Sequence, residues 1–212
     1  MNLPTENEPF ESICQQYEIW PTGYRSQQWQ TPLFLIWYTD REDGIDRLLT
    51  DSSGNILGAE SWPDLVNALQ GQIPLAHAEK LTSWLADING MPLSVQDSYD
   101  LITLVASLAD KKLDLPTLES LTLWRNLFGD FLYQDPQNSY LKSYHDDPVV
   151  QQVWDYYYDF SFWPRYAVQG KSVKWHRPAP VINMDLLLEK VSAMIDAFDA
   201  RINLVGPRHI AL

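Results

Sequence analysis

The chain has 212 residues, of which 45% are hydrophobic and 20% charged, and its formal net charge is -13. These proportions describe a folded globular protein and exclude wholesale disorder. The excess of carboxylates argues against direct binding to nucleic acid or to an anionic membrane surface, because both rest on pairing phosphate with Lys and Arg.

Aromatic residues reach 13%, with nine Trp and eleven Tyr. They can fill a large core and still leave amphipathic rings for an interface. Cys14 is the single cysteine, so no internal disulfide and no multi-thiolate metal site are expected, and with no cofactor signature in the sequence no cofactor is expected either. Met1 to Ile19 carries Glu6, Glu8, Glu11 and Glu18 without a Lys or Arg, which does not fit a signal peptide. No apolar run approaches the roughly 20 residues that span a bilayer. A cytoplasmic location is expected.

The first 30 residues are polar and broken by Pro4, Pro9, Pro21 and Gly23, with helical spacing only around Phe10, Ile13, Cys14 and Tyr17. Leu33 to Thr39 is a run of β-formers and predicts a strand. The charged segment Asp40-Arg41-Glu42-Asp43-Gly44 reads as a hairpin loop, leading to a second strand over Ile45 to Thr50. The turn Asp51-Ser52-Ser53-Gly54 then leads to a third strand over Asn55 to Gly58. The expectation is a three-stranded antiparallel meander that needs a cover.

From Ser61 the period becomes helical. Ser61 with Asp64 three positions on is a helix start, and Leu65, Val66 and Leu69 share a face up to Gly71. Further helices are expected over Leu75 to Ile88, from Ser94 to Lys111-Lys112 with Asp97 in the capping position, and from Thr117 through Leu132. Asp147-Pro148 places a cap before Pro at the first helical position. The aromatic block Trp154 to Trp163 follows and predicts a helix through about Asp159 with an extended exit. Residues 164–182 read as a long loop. A last helix starts at Asn183, presents Leu187, Val191, Met194, Ile195, Phe198 and Ile202, and runs to Gly206-Pro207. The fold class is therefore α+β: a small N-terminal antiparallel meander packed against a predominantly helical remainder. One domain over 1–212 is expected, with a compositional seam near residue 60 between a β-rich 1–60 and a helical 61–212.

No Gly-x-Ser-x-Gly, phosphate-cradling glycine loop or Gly-x-Gly-x-x-Gly is present. Tyr144-His145-Asp146-Asp147 is the densest polar cluster, yet Asp147 is explained as a cap and no second cluster supplies metal ligands. Lys174-Trp175-His176-Arg177 interleaves basic and aromatic residues, and pairing with the chain's own carboxylates, including Asp155 and Asp159, accounts for it. An enzyme assembled only in three dimensions around His145 or His176, or a helical adaptor, are the alternatives to a binding protein. Four carboxylates, Asp40, Glu42, Asp43 and Asp46, lie within seven positions of the hairpin loop. With Asp155, Tyr156, Tyr157 and Asp159 of the aromatic block they are the expected contacts to a basic protein partner, through charge steering and ring anchors.

The meander Leu33 to Gly58, with its Asp-Gly and Ser-Ser-Gly-Asn turns, and the acidic, Trp-rich helical remainder resemble bacterial toxin-immunity proteins of contact-dependent growth inhibition systems. That resemblance implies a cytoplasmic, non-catalytic inhibitor that occludes the active site or substrate surface of a basic, nuclease-type toxin domain. It transfers no individual residue.

Overall fold

A computed structural model describes residues 8–71, 78–95, 97–167 and 178–206. The chain divides into two compact units, Met1–Tyr99 with Asp199–Leu212 and Asp100–Phe198. The division does not follow the compositional seam near residue 60, because the helices immediately after that seam bury their apolar faces with the strands before it. The architecture is α+β.

In the first unit, α1 (Glu8–Tyr17) leads through Glu18, at φ 55, into β1 (Ile19–Arg25). Next come β2 (Leu33–Thr39), β3 (Asp46–Leu48), β4 (Ile56–Gly58), α2 (Trp62–Gln70), α3 (Ala78–Asp87) and β5 (Asp97–Asp100). The chain returns to this unit with β6 (Ile202–Leu204). One sheet has the order β3-β2-β1-β5, and β4 and β6 form a second. The expected hairpin from β2 to β3 forms, with Trp37 opposite Leu48 and Thr39 opposite Asp46.

The third expected strand behaves differently. β4 runs parallel to β6, with Ile56 opposite Ile202 and Leu57 opposite Asn203. Its hydrogen bonding towards the larger sheet runs through isolated bridges and bonds such as Leu57 N–H to Leu49 O at 3.0 Å. A Cβ at Gly58 would meet Leu35 Cδ2 and Ile202 Cγ2, each at 3.1 Å, so glycine leaves room for these two side chains to pack over the strand.

β1 runs antiparallel to β2 from Ile19↔Tyr38 to Tyr24↔Leu33. The core of this unit gathers Phe10, Cys14, Ile36, Tyr38, Leu57, Leu65, Trp84 and Ile88, so α1, α2 and α3 provide the cover the strands require. Ser61 caps α2 as the sequence predicts, its hydroxyl accepting Asp64 N–H at 3.2 Å. Asp199 is 2% exposed, with its carboxylate oxygens accepting from Tyr24 Oη at 2.6 Å and Ser26 Oγ at 2.7 Å. The expected start of a helix at Leu75 lies outside the described residues.

The second unit is helical: α4 (Leu101–Ala109), α5 (Leu115–Tyr133), a 3₁₀ turn over Pro136–Leu141, α6 (Lys142–His145), α7 (Pro148–Tyr157), a π turn over Tyr158–Phe162, α8 (Trp163–Ala167) and α9 (Met184–Asp199). The helix expected from Ser94 begins at Leu101, because Asp97 lies in β5 and Asp100 is the residue whose carboxylate accepts Thr103 N–H at 3.2 Å. Likewise α5 is capped by Asp114, which accepts the Thr117 N–H at 3.1 Å, rather than by Thr117 itself. The last helix ends at Asp199, before β6. Trp124, Phe128 and Phe131 of α5 meet Phe198 of α9 at 4.9, 6.2 and 5.6 Å between ring centroids, and all four rings are fully buried.

Candidate protein-binding face

The face of interest is built on α7, which starts where the sequence predicts: Asp147 accepts the Val149 N–H at 3.0 Å and Pro148 occupies the first turn. Val149, Val150, Val153, Tyr156 and Tyr157 form its buried side. The expected extended exit does not occur. The chain widens into a π turn, with Trp163 N–H bonded to Tyr158 O, and continues as helix to Ala167.

Pro164 gives the physical reason for the wide turn. It has no N–H for an α-helical bond to the Phe160 carbonyl, and its ring would clash with that carbonyl in a regular helix. Widening the turn relieves the clash and leaves carbonyls without helical partners. Arg165 takes one of them, with Nε donating to Ser161 O at 3.1 Å.

Through this wide turn runs a ladder of rings four residues apart. Trp154–Tyr158 centroids lie 4.3 Å apart, Tyr158–Phe162 5.0 Å and Phe162–Tyr166 6.2 Å, the last pair nearly parallel. Trp163 joins at the end, 4.9 Å from Phe162 and edge-on to it. The ladder emerges into solvent towards its C-terminal end: Trp163 is 55% and Tyr166 68% exposed, while Phe160, at 37%, packs on Tyr156 with centroids 5.3 Å apart. Trp163 and Tyr166, with ring centroids 6.0 Å apart, form an exposed aromatic pair of the kind found at interaction surfaces.

On the inner side the rings hold two guanidinium groups. Arg165 sits 5.9 Å above Tyr157, donates to its hydroxyl at 3.1 Å and pairs with Glu119 at 2.7 Å. Arg125 is 6% exposed, lies 5.0 Å over the Trp154 ring and donates to Gln151 Oε1 at 2.6 Å. Gln151 in turn donates to Asp155 at 2.7 Å. Burial pulls the Arg125 guanidinium below its usual range.

The expected contact residues are distributed as follows. Tyr156 and Tyr157 are buried rather than outward anchors, because they share the side of Val153; Tyr156 Oη donates to Pro178 O at 2.6 Å. Asp155 and Asp159 are exposed, and Asp159 has no hydrogen-bond or ion-pair partner among the described residues. In the hairpin loop Asp40 is only 7% exposed, accepting Glu42 N–H at 3.0 Å and lying 3.3 Å from Arg47 Nε. Asp43 accepts Ile45 N–H at 3.0 Å and pairs with Arg47, and Asp46 accepts the Thr39 hydroxyl at 2.8 Å. Gly44, at φ 71, closes the turn. Asp40, Asp43 and Asp46 thus hold the loop itself, and Glu42 together with Asp43, which does both, reaches the surface. The sequence signal for Tyr166 was the i, i+4 spacing of Trp154, Tyr158, Phe162 and Tyr166, which reading an extended exit after Asp159 and a loop from 164 concealed; Trp163 lies outside that series.

His145 is buried, with Nδ1 2.8 Å from Asp146 Oδ1 and its ring edge-on to Tyr133 at 5.6 Å. Glycine at 129 makes room for it, since a methyl there would come within 3.1 Å of Nε2. Burial pushes the imidazole below its usual range and Arg125 adds to this, against the opposing Asp146 carboxylate. A neutral ring donating to Asp146 is the result. His176 lies outside the described residues. Among the described residues no three His, Cys, Asp or Glu side chains are grouped to hold a metal ion. Cys14 is buried, and burial pushes its thiol up to about 11. Among the described residues no helix is long and apolar enough to cross a membrane.

The sequence matches no protein-family model and no curated protein. Among solved structures the chain is similar to the SatS C-terminal domain, determined in complex with bromine, with a TM-score of 0.61 and 16% identity over 95% of this chain and 100% of that one. At this identity the likeness is one of fold.

Proposed function

We propose that this protein is a non-catalytic, cytoplasmic binding protein that neutralises a basic protein partner in the manner of toxin-immunity proteins, by covering the partner's active site or substrate surface. The observation that supports this reading is the pair of exposed rings Trp163 and Tyr166 on the same helical stretch as the exposed Asp155 and Asp159, on a chain of net charge -13. Large rings bury much area at little entropic cost, and surrounding carboxylates steer a cationic partner towards them.

The test is affinity capture from the native host with the wild-type chain and with a Trp163→Ala, Tyr166→Ala double variant. A basic protein retained by the first, lost by the second and inhibited stoichiometrically by the wild-type chain supports the reading. Capture that is indifferent to the double substitution, or a captured protein whose activity is unaffected, overturns it.

A further inference from the structure

Resting on that reading, we infer that the outer ring face binds a segment bearing arginine in particular, with guanidinium groups lying on Trp163 and Tyr166 and paired to Asp159. The inner side of the same helix supplies the pattern. There each of two rings carries a guanidinium, Arg125 on Trp154 and Arg165 on Tyr157, and each guanidinium is linked to a carboxylate, through Gln151 to Asp155 in one case and directly to Glu119 in the other.

The outer side repeats the rings and the carboxylate but holds no cation among the described residues. Trp163 lies 6.2 Å from the ring of Tyr158, whose chain neighbour is Asp159, so the carboxylate belongs to the helical turn just before the exposed indole. Trp163 and Tyr166 meet at 87° with centroids 6.0 Å apart, so two ring planes of different orientation are offered side by side. A planar guanidinium can stack on a ring and hydrogen-bond a carboxylate in its own plane at once, whereas an ammonium is a compact, strongly hydrated point charge. Lysine is the relevant competitor, because Lys142 lies 5.8 Å over Tyr133 elsewhere in this unit.

The experiment titrates the full chain with two peptides of equal length and charge, one built on arginine and one on lysine, followed by tryptophan fluorescence and calorimetry. The expected result is tighter binding of the arginine peptide, with Trp163→Ala and Asp159→Asn each weakening it by about two- to fivefold while circular dichroism is unchanged. Equal affinity for the two peptides overturns the arginine inference and leaves the basic-partner reading standing. The inference also falls if neither peptide binds, even where the captured partner still depends on Trp163 and Tyr166. Only loss of both peptide binding and ring-dependent capture removes the two together. If neutralising Lys171, Lys174 and Arg177 to Gln creates peptide binding that the wild-type chain lacks, the chain's own basic segment is the occupant and the inference fails.

Discussion

The second unit contains two ring clusters of similar make-up and opposite fate. On α5, Trp124 and Phe128 stand four residues apart with Phe131 close by, and Phe198 of α9 closes over them, so none of these rings reaches solvent. From α7 to α8, Trp154, Tyr158, Phe162 and Tyr166 keep the same four-residue spacing, but the row ends with rings that are mostly exposed. Ring content and period are alike. What differs is the company: leucines flank the first cluster, while Gln151, Asp155 and Asp159 run beside the second. Periodicity shows that rings line up; the polarity of the adjacent row shows whether another element can afford to cover them.

Substitutions can break this comparison or sharpen it. Trp124→Ala should have the largest effect, a loss of about 3–5 kcal/mol in urea unfolding, because it opens a cavity among rings that cannot collapse into it. Trp154→Ala should lie between the clusters, costing about 2 kcal/mol, since it uncovers the buried Arg125 guanidinium. Trp163→Ala should change stability by no more than about 0.5 kcal/mol, as expected of a surface ring whose value lies in binding. If Trp163→Ala approached the cost of Trp124→Ala, the outer row would be core, and its assignment as a binding face would be wrong.

A smaller effect concerns pH. The unfolded His145 imidazole takes up its proton near 6.5, and the folded one only at a lower pH. Stability is therefore fully present above the unfolded value and declines as pH falls towards the folded one. His145→Gln should flatten the change in urea midpoint between about pH 7.5 and 5.5. An unchanged slope would show that carboxylates elsewhere carry the whole pH dependence.

Much of the fold was legible where local chemistry is decisive. Ser61 with Asp64 and Asp147 with Pro148 are satisfied within one helical turn, so short-range sequence defines those helix starts. β2 is a long enough run of β-formers to declare itself. β1 was not legible, because Pro21 and Gly23 argue against a strand taken alone; its pairing with β2 from Ile19 to Tyr24 overrides them. β5 and β6 are only four and three residues long and exist through long-range pairing. The candidate face was half legible. The aromatic block stood out, but the choice of outward rings required the wide turn before Pro164, whose effect is felt four residues upstream of the proline itself.

The parallel pairing of β4 with β6 carries a consequence for how the chain matures. Ile56 finds its partner Ile202 only after 146 further residues have been made. At about 5–20 residues per second of synthesis, roughly 7 to 30 s separate the two. During that interval β4 has an open edge, and Asp199 has not yet reached the hydroxyls of Tyr24 and Ser26. The unit that is begun first is thus completed last, and a nascent chain stalled before Asp199 would present a sheet with a missing strand.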